Sequence, residues 1–170
     1  MSVIATLNVG ANGATSLAGS SIGISTTADR ARFLTLHRRA GVHITGTHSA
    51  NSELYSSSRI PLIVLSRTSK SEMKEVREIV NTSAGLQSVM REIKSQFPAP
   101  IVVEAGPNLL NALVEQGCIE EIELSISPIS GDENFIDYLE LLNHFIITSD
   151  EMVDGTRLLH GRYNGDSAYR

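Results

Sequence analysis

Three segments of the sequence place residues suited to anion or proton chemistry directly after a predicted strand. They are Gly46-Thr47-His48-Ser49, Ser66-Arg67 and Glu104-Ala105-Gly106-Pro107. The first and third are glycine-containing turns that lead into predicted helices, whose exposed N–H groups and positive dipole ends suit phosphate. Arg67 offers a guanidinium group for a second phosphate. These features suit phosphate or dinucleotide binding, but neither turn has a Walker or GxGxxG spacing. Ordinary strand-to-helix turns are therefore the simpler interpretation of the pattern alone.

Two carboxylates, Glu53 and Glu104, are candidates for proton transfer. Glu104 ends a predicted buried strand, where loss of solvent favours the protonated form of a carboxyl group unless a partner compensates. The alternatives are an ion-paired or capping carboxylate for Glu104 and a solvated helix residue for Glu53. The five histidines show no spacing typical of a metal site. Cys118, the single cysteine, excludes a Cys-rich zinc site and an internal disulfide.

Apolar patterning predicts the strands and helices that must position these residues. Continuous apolar runs at Leu62–Leu65 and Ile101–Val103 are typical of strands buried on both faces. The other predicted strands are Val3–Val9, Val42–Thr45, Ile122–Ile126, His144–Met152 and Thr156–Arg162, the last two flanking the hairpin signal Asp154-Gly155. The predicted helices are Thr27–Arg39, a short helix after Gly46, and Asn108–Glu115. Thr26 and Gly41 are the predicted ends of the first helix. The segment Ser69–Phe97 is predicted to be mostly helical, with Val76–Val80 as an alternative strand.

The alternation of strands and helices predicts a three-layer α/β domain with a mostly parallel sheet, closed by an antiparallel hairpin. Ligands bind such sheets at the carboxyl ends of the strands, which is where the three segments lie. A length of 170 residues suits a single domain spanning positions 1–170.

Composition narrows the class of protein further. A formal charge of −5 argues against binding to nucleic acid or to an anionic membrane surface. No apolar run is long enough to span a bilayer, and the N-terminus lacks a signal-type segment. We therefore expect a soluble, cytoplasmic protein.

The block from Val102 to Leu124 resembles the riboflavin-pathway pyrimidine reductases, which are relatives of dihydrofolate reductase. The resemblance is carried by Val102-Val103-Glu104-Ala105-Gly106-Pro107-Asn108-Leu109-Leu110, Ala112-Leu113-Val114, Ile119-Glu120-Glu121-Ile122-Glu123-Leu124 and Ser127-Pro128-Ile129. The upstream segments that follow the family's order are Asn12-Gly13-Ala14, Gly19-Ser20-Ser21, Ser25-Thr26, Ala28-Asp29-Arg30, Gly46-Thr47-His48-Ser49 and Ser66-Arg67. The resemblance implies a short, stand-alone reductase domain with a dihydrofolate reductase-like fold and no deaminase domain.

The resemblance further implies an oxidoreductase that uses NADPH to convert 5-amino-6-(5-phosphoribosylamino)uracil to the ribitylamino product, with hydride delivered to the ribose C1′. The implied cofactor contacts are Gly46, Thr47, Ser49, Ser66, Arg67, Gly106, Pro107, Asn108 and Leu109. The implied substrate contacts are Asn12, Ser21, Arg30, His37 and Arg38, and the implied catalytic acids are Glu53 and Glu104. Arg67 would face the adenosine 2′-phosphate, the protein would be a homodimer, and no metal is needed.

The chain departs from the family pattern at several positions. Asn12 stands where the family has Asp, His37 stands where the family often has Arg, and Gly23 replaces a bulky residue. The segment from Arg67 to Pro100 is also shorter than usual. These departures leave two alternatives open: a related reductase of another pteridine or imine substrate, and a non-catalytic member that binds a nucleotide.

Overall fold

The computed structural model describes residues 2–47, 49–51, 60–67, 78–82 and 85–165. The strands are β1 (Val3–Val9), β2 (Ala14–Ser16), β3 (Val42–Gly46), β4 (Leu62–Ser66), β5 (Glu78–Asn81), β6 (Ile101–Glu104), β7 (Glu121–Ile126), β8 (Glu133–Phe135), β9 (Phe145–Val153) and β10 (Thr156–Tyr163). The helices are α1 (Thr27–Arg39), α2 (Leu86–Gln96), α3 (Pro107–Glu115) and α4 (Tyr138–Leu142). Single 3-10 turns lie at Ser21–Gly23 and Ser49–Asn51.

Eight of the strands form one sheet in the order β5-β4-β3-β6-β1-β7-β10-β9. The first six run parallel to one another, β10 is antiparallel to β7, and β9 is antiparallel to β10. The described residues of β2 and β8 pair as a separate two-stranded ribbon. Because β6 is inserted between β3 and β1, the turns that follow β3 and β6 meet at one edge of the sheet.

One face of the sheet is apolar and carries the main core. Alternate residues of β1, such as Val3, Ala5 and Leu7, point to this face, as the two-residue period of a strand requires. Helices α2 and α3 cover it with apolar stripes that include Met90 and Leu110, both fully buried. Each such side chain stabilises the fold by about 1.5–3 kcal/mol on burial.

The opposite face of the sheet, which lies under α1, is polar. The residues that alternate with the core positions are Thr6 and Asn8 of β1, His43 and Thr45 of β3, Glu104 of β6, and Glu121, Glu123 and Ser125 of β7. The cluster of Ile4, Leu36 and Val102 provides apolar packing between α1 and this face. We call the set of alternating polar residues the polar face.

Helix α1 runs antiparallel to the parallel strands. At its start, the Thr156 hydroxyl donates to the Thr26 hydroxyl at 2.7 Å, near the carboxyl ends of the strands. After its end, the Gly41 amide donates to Pro100 O at 2.9 Å, just before β6 begins. A Cβ at Gly41 would lie 1.9 Å from Pro98 O, so no larger residue fits this approach. The first turn of α1 therefore lies near the predicted ligand edge, and its last turn lies at the other end of the sheet.

The predicted three-layer arrangement, the seven predicted strands and helix α1 are confirmed, whereas the helical prediction for Ser69–Phe97 is wrong in part. Residues Glu78–Asn81 form edge strand β5, which overlaps the alternative strand Val76–Val80, and α2 begins at Leu86. Pairing with β4 determines this segment, because tertiary hydrogen bonds outweigh local propensity. Residues 69–77 and 83–84 of that prediction lie outside the described residues. In the part of the chain that the structure describes, no helix combines the length and apolarity needed to cross a membrane.

Candidate functional site

The two predicted glycine turns lie side by side at the carboxyl edge of the sheet. Gly46 ends β3, and a Cβ placed on it would lie 3.5 Å from Leu109 Cδ2 in the first turn of α3. Thr45 of β3 is in register with Glu104, the last residue of β6. The fold thus brings together the two segments that the sequence predicted to bind phosphate.

The start of α3 is suited to an anion. Gly106 provides no side-chain cap, and Pro107 occupies the first helical turn, where its missing N–H is not needed. A Cβ at Gly106 would meet nothing within 4 Å, so the approach to this helix end is open. The amides of the first turn have no partner within the helix and can donate to a phosphate.

The remaining predicted cofactor residues lie at the same edge. Ser66 is buried at the end of β4, in register with Asn81, and its carbonyl accepts from the Thr82 hydroxyl at 3.4 Å. Arg67 follows it with an exposed side chain, and Thr47 is exposed after β3. Because β4 neighbours β3, Arg67 follows the strand next to the Gly46 turn and lies two strands from the Gly106 turn.

A cluster of Glu104, His43 and His37 occupies one half of the polar face. His43 Nε2 lies 3.6 Å from Glu104 Oε2, and His43 Nδ1 lies 2.8 Å from His37 Nδ1. The His43 side chain is 1% exposed, whereas that of Glu104 is 32% exposed at the edge. Burial and the neighbouring His43 lower the pKa of His37, and Glu104 opposes that shift. The sequence prediction included Glu104 and His37 but not the link between them.

Two buried oxygen atoms of the polar face, Asn8 Oδ1 and Thr45 Oγ1, have no hydrogen-bond partner among the described residues. Thr45 is fully buried beside Glu104, and Asn8 lies near the end of β1 on the same face. A buried polar atom without a partner costs free energy unless a ligand or water satisfies it. These oxygens therefore mark a surface that can accept the polar groups of a ligand.

Arg32 occupies the other half of the polar face and was not identified from the sequence as a site residue. Its Nε lies 3.2 Å from Glu123 Oε2, and its terminal nitrogens donate to Ser125 Oγ at 2.9 Å and Leu159 O at 3.0 Å. Burial lowers the pKa of Arg32, while the charges of Glu123 and Asp29 raise it. This network ties α1 to β7 and β10, which keeps the helix at a fixed position over the sheet.

The predicted substrate residues are not brought into one place. The Asn12 amide nitrogen donates to Gly131 O at 2.9 Å and its oxygen accepts from Gly131 N at 3.1 Å, which links two loops. Ser21 is exposed in the 3-10 turn before α1, and Arg30 is exposed near the start of α1. Arg38 is exposed in the last turn of α1, at the opposite end of the sheet from Gly46, and His37 contacts His43.

Glu53, the second predicted acid, lies outside the described residues, as does His48. Ser49 begins the 3-10 turn Ser49–Asn51, where the sequence predicted a short helix. Within the described ranges, no three His, Cys, Asp or Glu side chains are grouped so that they could hold a metal ion.

A family model described as RibD C-terminal domain matches residues 36–133, which is more than half of the chain. The matched range contains both glycine turns, Arg67 and the cluster around Glu104. A search of the curated proteins finds no match.

Solved structures share the fold at low sequence identity. A pyrimidine reductase-like protein from Corynebacterium diphtheriae has a TM-score of 0.73 at 14% identity, over 97% of this chain and 92% of that one. Acinetobacter baumannii RibD has a TM-score of 0.72 at 14% identity, over 96% of this chain and 58% of that longer one. Dihydrofolate reductase from Enterococcus faecalis, complexed with NADP(H) and RAB-propyl, has a TM-score of 0.71 at 11% identity, over 96% and 97%. The predicted dihydrofolate reductase-like fold is confirmed.

Proposed function

Since the chain belongs to the RibD C-terminal domain family, the family of riboflavin pyrimidine reductases, we propose that it is a nicotinamide-dependent oxidoreductase. Its proposed reaction is the NADPH-dependent conversion of 5-amino-6-(5-phosphoribosylamino)uracil to the ribitylamino product. The observation that carries this proposal is the proximity of Gly46 to the start of α3, where an added Cβ on Gly46 would lie 3.5 Å from Leu109 Cδ2, at the edge where Glu104 ends β6. That edge combines an anion-binding surface with an acid.

The residues at this edge fit a dinucleotide cofactor. Backbone amides after Gly46 and at the start of α3 would hold the pyrophosphate, because both turns lack bulky side chains at their glycines. Arg67, exposed at the end of the neighbouring strand, would pair with the 2′-phosphate and so favour NADPH over NADH. When bound, the reduced nicotinamide supplies the hydride.

The polar face would hold the substrate beside that edge. Asn8 Oδ1 and Thr45 Oγ1 can accept hydrogen bonds from substrate hydroxyl or amide groups. Reduction of a C=N bond adds a hydride to carbon and a proton to nitrogen, so the site must also supply a proton. Glu104 would supply this proton, and its exposure supports the assignment, because about a third of its side chain is exposed at the edge.

Calorimetry with NADPH and NADH, followed by NADPH oxidation assays with the uracil substrate, tests the proposal. We expect tight NADPH binding, weaker NADH binding, and turnover with the uracil but not with dihydrofolate. Gly46→Ala adds a Cβ that reaches van der Waals contact with Leu109, and it should weaken NADPH binding while the melting temperature without cofactor changes little. Protein that binds neither NADPH nor NADP⁺ would contradict the proposed function.

A related reductase that acts on another imine or pteridine is the second candidate. It is favoured by the engagement of two predicted substrate contacts within the protein, Asn12 with Gly131 and His37 with His43. Side chains that already form hydrogen bonds within the protein are less able to bind the phosphate of the uracil substrate. NADPH oxidation with a pteridine, and none with the uracil, would select this candidate.

A further inference from the structure

Two asparagine residues of the chain, Asn12 and Asn164, are followed by glycine. In an Asn-Gly sequence, the backbone nitrogen of the glycine can attack the side-chain amide carbon of the asparagine, because glycine has no side chain that hinders the approach. The attack needs an amide side chain that can turn toward the backbone and a glycine N–H that is not held in a hydrogen bond. The two sequences share this chemistry, so the fold decides which of them can react.

Asn12 does not meet these requirements. Its amide nitrogen donates to Gly131 O at 2.9 Å, and its amide oxygen accepts from Gly131 N at 3.1 Å. The Gly13 nitrogen, which would be the nucleophile, donates to Gly10 O at 2.9 Å, and Gly13 is buried. Both reacting groups are therefore occupied by hydrogen bonds in the turn between β1 and β2.

Asn164 and Gly165 do meet the requirements. Both residues are exposed just after the end of β10. In the part of the chain that the structure describes, the Asn164 side chain and the Gly165 N–H form no hydrogen bond. The backbone nitrogen of Asn164 donates to His144 O at 2.8 Å, and this N–H takes no part in the attack. The asparagine is thus anchored by its backbone while its amide group is free to reach the next residue.

The packing of Tyr163 favours glycine at position 165. A Cβ on Gly165 would lie 2.6 Å from Tyr163 Cε1. The Tyr163 ring lies parallel to the His144 ring, with centroids 6.4 Å apart, and meets the Phe145 ring edge-on at 5.8 Å. These contacts hold the ring in place, so the end of β10 suits the residue that makes the preceding asparagine reactive.

We propose that Asn164 is a site of spontaneous covalent modification, at which its side-chain amide is lost through a cyclic imide. The Gly165 nitrogen forms a bond to Asn164 Cγ, and the side-chain nitrogen leaves as ammonia with the proton from the Gly165 N–H. Water then opens the ring at either carbonyl, which gives aspartate or, where the main chain passes through Cβ, isoaspartate. No oxidation or reduction is involved. Each product adds one negative charge to the formal charge of −5.

Peptide mapping by mass spectrometry, after incubation of the folded protein in mildly alkaline buffer, tests the proposal. We expect loss of the amide at Asn164 and about 100-fold slower loss at Asn12, because three hydrogen bonds must open there and each is worth about fivefold in an equilibrium constant. In water enriched in oxygen-18, the product should carry one heavy oxygen atom. An unmodified Asn164, or equal rates at the two positions, would overturn the proposal.

The same protein unfolded in urea separates the effect of the fold from that of the sequence. Both Asn-Gly sequences are then free of their native contacts, so the two rates should become similar. A ratio of rates that is the same in the folded and the unfolded protein would show that flanking residues protect Asn12, and it would contradict the role of the fold.

Two variants assign the acidic form of the protein to one residue. Asn164→Gln should remove the acidic band that isoelectric focusing detects after incubation. Asn143→Gln, at an exposed asparagine followed by histidine, is the matched control and should leave that band in place. An acidic band of equal strength in Asn164→Gln would overturn the assignment. None of these measurements uses NADPH or substrate, so they are independent of the proposed function.

Discussion

The two faces of the sheet use the same strands for different purposes. On the face covered by α2 and α3, alternate residues such as Val103 and Leu124 are fully buried and apolar. On the polar face, their neighbours Glu104, Glu123 and Ser125 form ion pairs and hydrogen bonds to α1 and to neighbouring strands. Side chains alternate between the two faces along a strand, so adjacent residues of one strand can serve the apolar core and the polar face. Substitutions on the two faces should therefore have different consequences.

The largest effect should come from the apolar face. Leu110→Ala removes a fully buried side chain of α3 and should lower the free energy of unfolding by about 2–5 kcal/mol, because a cavity is left behind. Chemical denaturation measures this loss. At a temperature where the variant is folded, its kcat should be close to that of the wild type. A large fall in kcat would show that the apolar face also affects catalysis.

Glu104→Gln should lower activity and leave stability nearly unchanged, the reverse of Leu110→Ala. It removes the acid at the carboxyl edge, and we expect kcat to fall by about 100-fold, within the usual range for loss of a general acid. The free energy of unfolding should change little, since the side chain is about a third exposed. Steady-state kinetics and denaturation of the same preparation provide both numbers, and a variant with normal turnover would remove Glu104 from the proposed mechanism.

Arg67→Ala should change cofactor preference and leave folding intact. Loss of a charge-assisted phosphate contact should weaken NADPH binding by about 1.5–3 kcal/mol, while NADH binding changes much less. Calorimetry with both cofactors measures the difference. Arg91→Ala, an exposed arginine on α2, is the control and should alter neither affinity. Equal losses for NADPH and NADH would show that Arg67 does not contact the 2′-phosphate.

Thr45→Val, on the polar face, should raise the stability of the protein and weaken its activity toward substrate. The Thr45 hydroxyl is buried and has no partner among the described residues, so its replacement by a methyl group should raise the unfolding free energy by about 0.5–1 kcal/mol. The same change removes a hydrogen-bonding group for substrate and should raise KM. A variant that is less stable, with an unchanged KM, would indicate that the hydroxyl serves packing alone.

The smallest effect concerns pH. The pKa of His37 is lower in the folded protein than in the unfolded chain, where a histidine titrates near about 6.5. As pH falls through the pKa of the unfolded chain, the unfolded chain binds the proton before the folded protein does. The contribution of His37 to stability is therefore present above this pKa and is lost as pH falls below it. Compared with His37→Asn, the wild type should lose stability more steeply on acidification, as measured by melting temperature across the pH range.

Local signals predicted much of the fold and the two glycine turns of the candidate site. The apolar run of β4 and the Thr26 cap of α1 depend on neighbouring residues in sequence, and both are found where predicted. The glycine turns after β3 and β6 were recognised for the same reason. The strands β2 and β8 were missed because each is only three residues long and their pairing joins distant parts of the chain.

The cluster on the polar face could not be predicted from such signals. His43 meets Glu104 because β6 is inserted between β3 and β1, and His37 meets His43 because α1 crosses that face. Strand order and helix direction determine these contacts, and neither can be predicted from a short segment of sequence. The sequence does contain an alternation of polar residues in β1 and β7, which is typical of strands with one polar face but does not identify the residues that contact that face.

Strand β1 has a consequence for how the chain acquires its structure during synthesis. Its sheet partners are β6 and β7, with Val3 opposite Ile101 and Ile4 opposite Glu121. Strand β1 therefore has no neighbour in the sheet until β6 and β7 have been synthesised. Pairings between residues so far apart in sequence slow folding, because a long loop must close first. We expect this strand to take its place in the sheet late in folding.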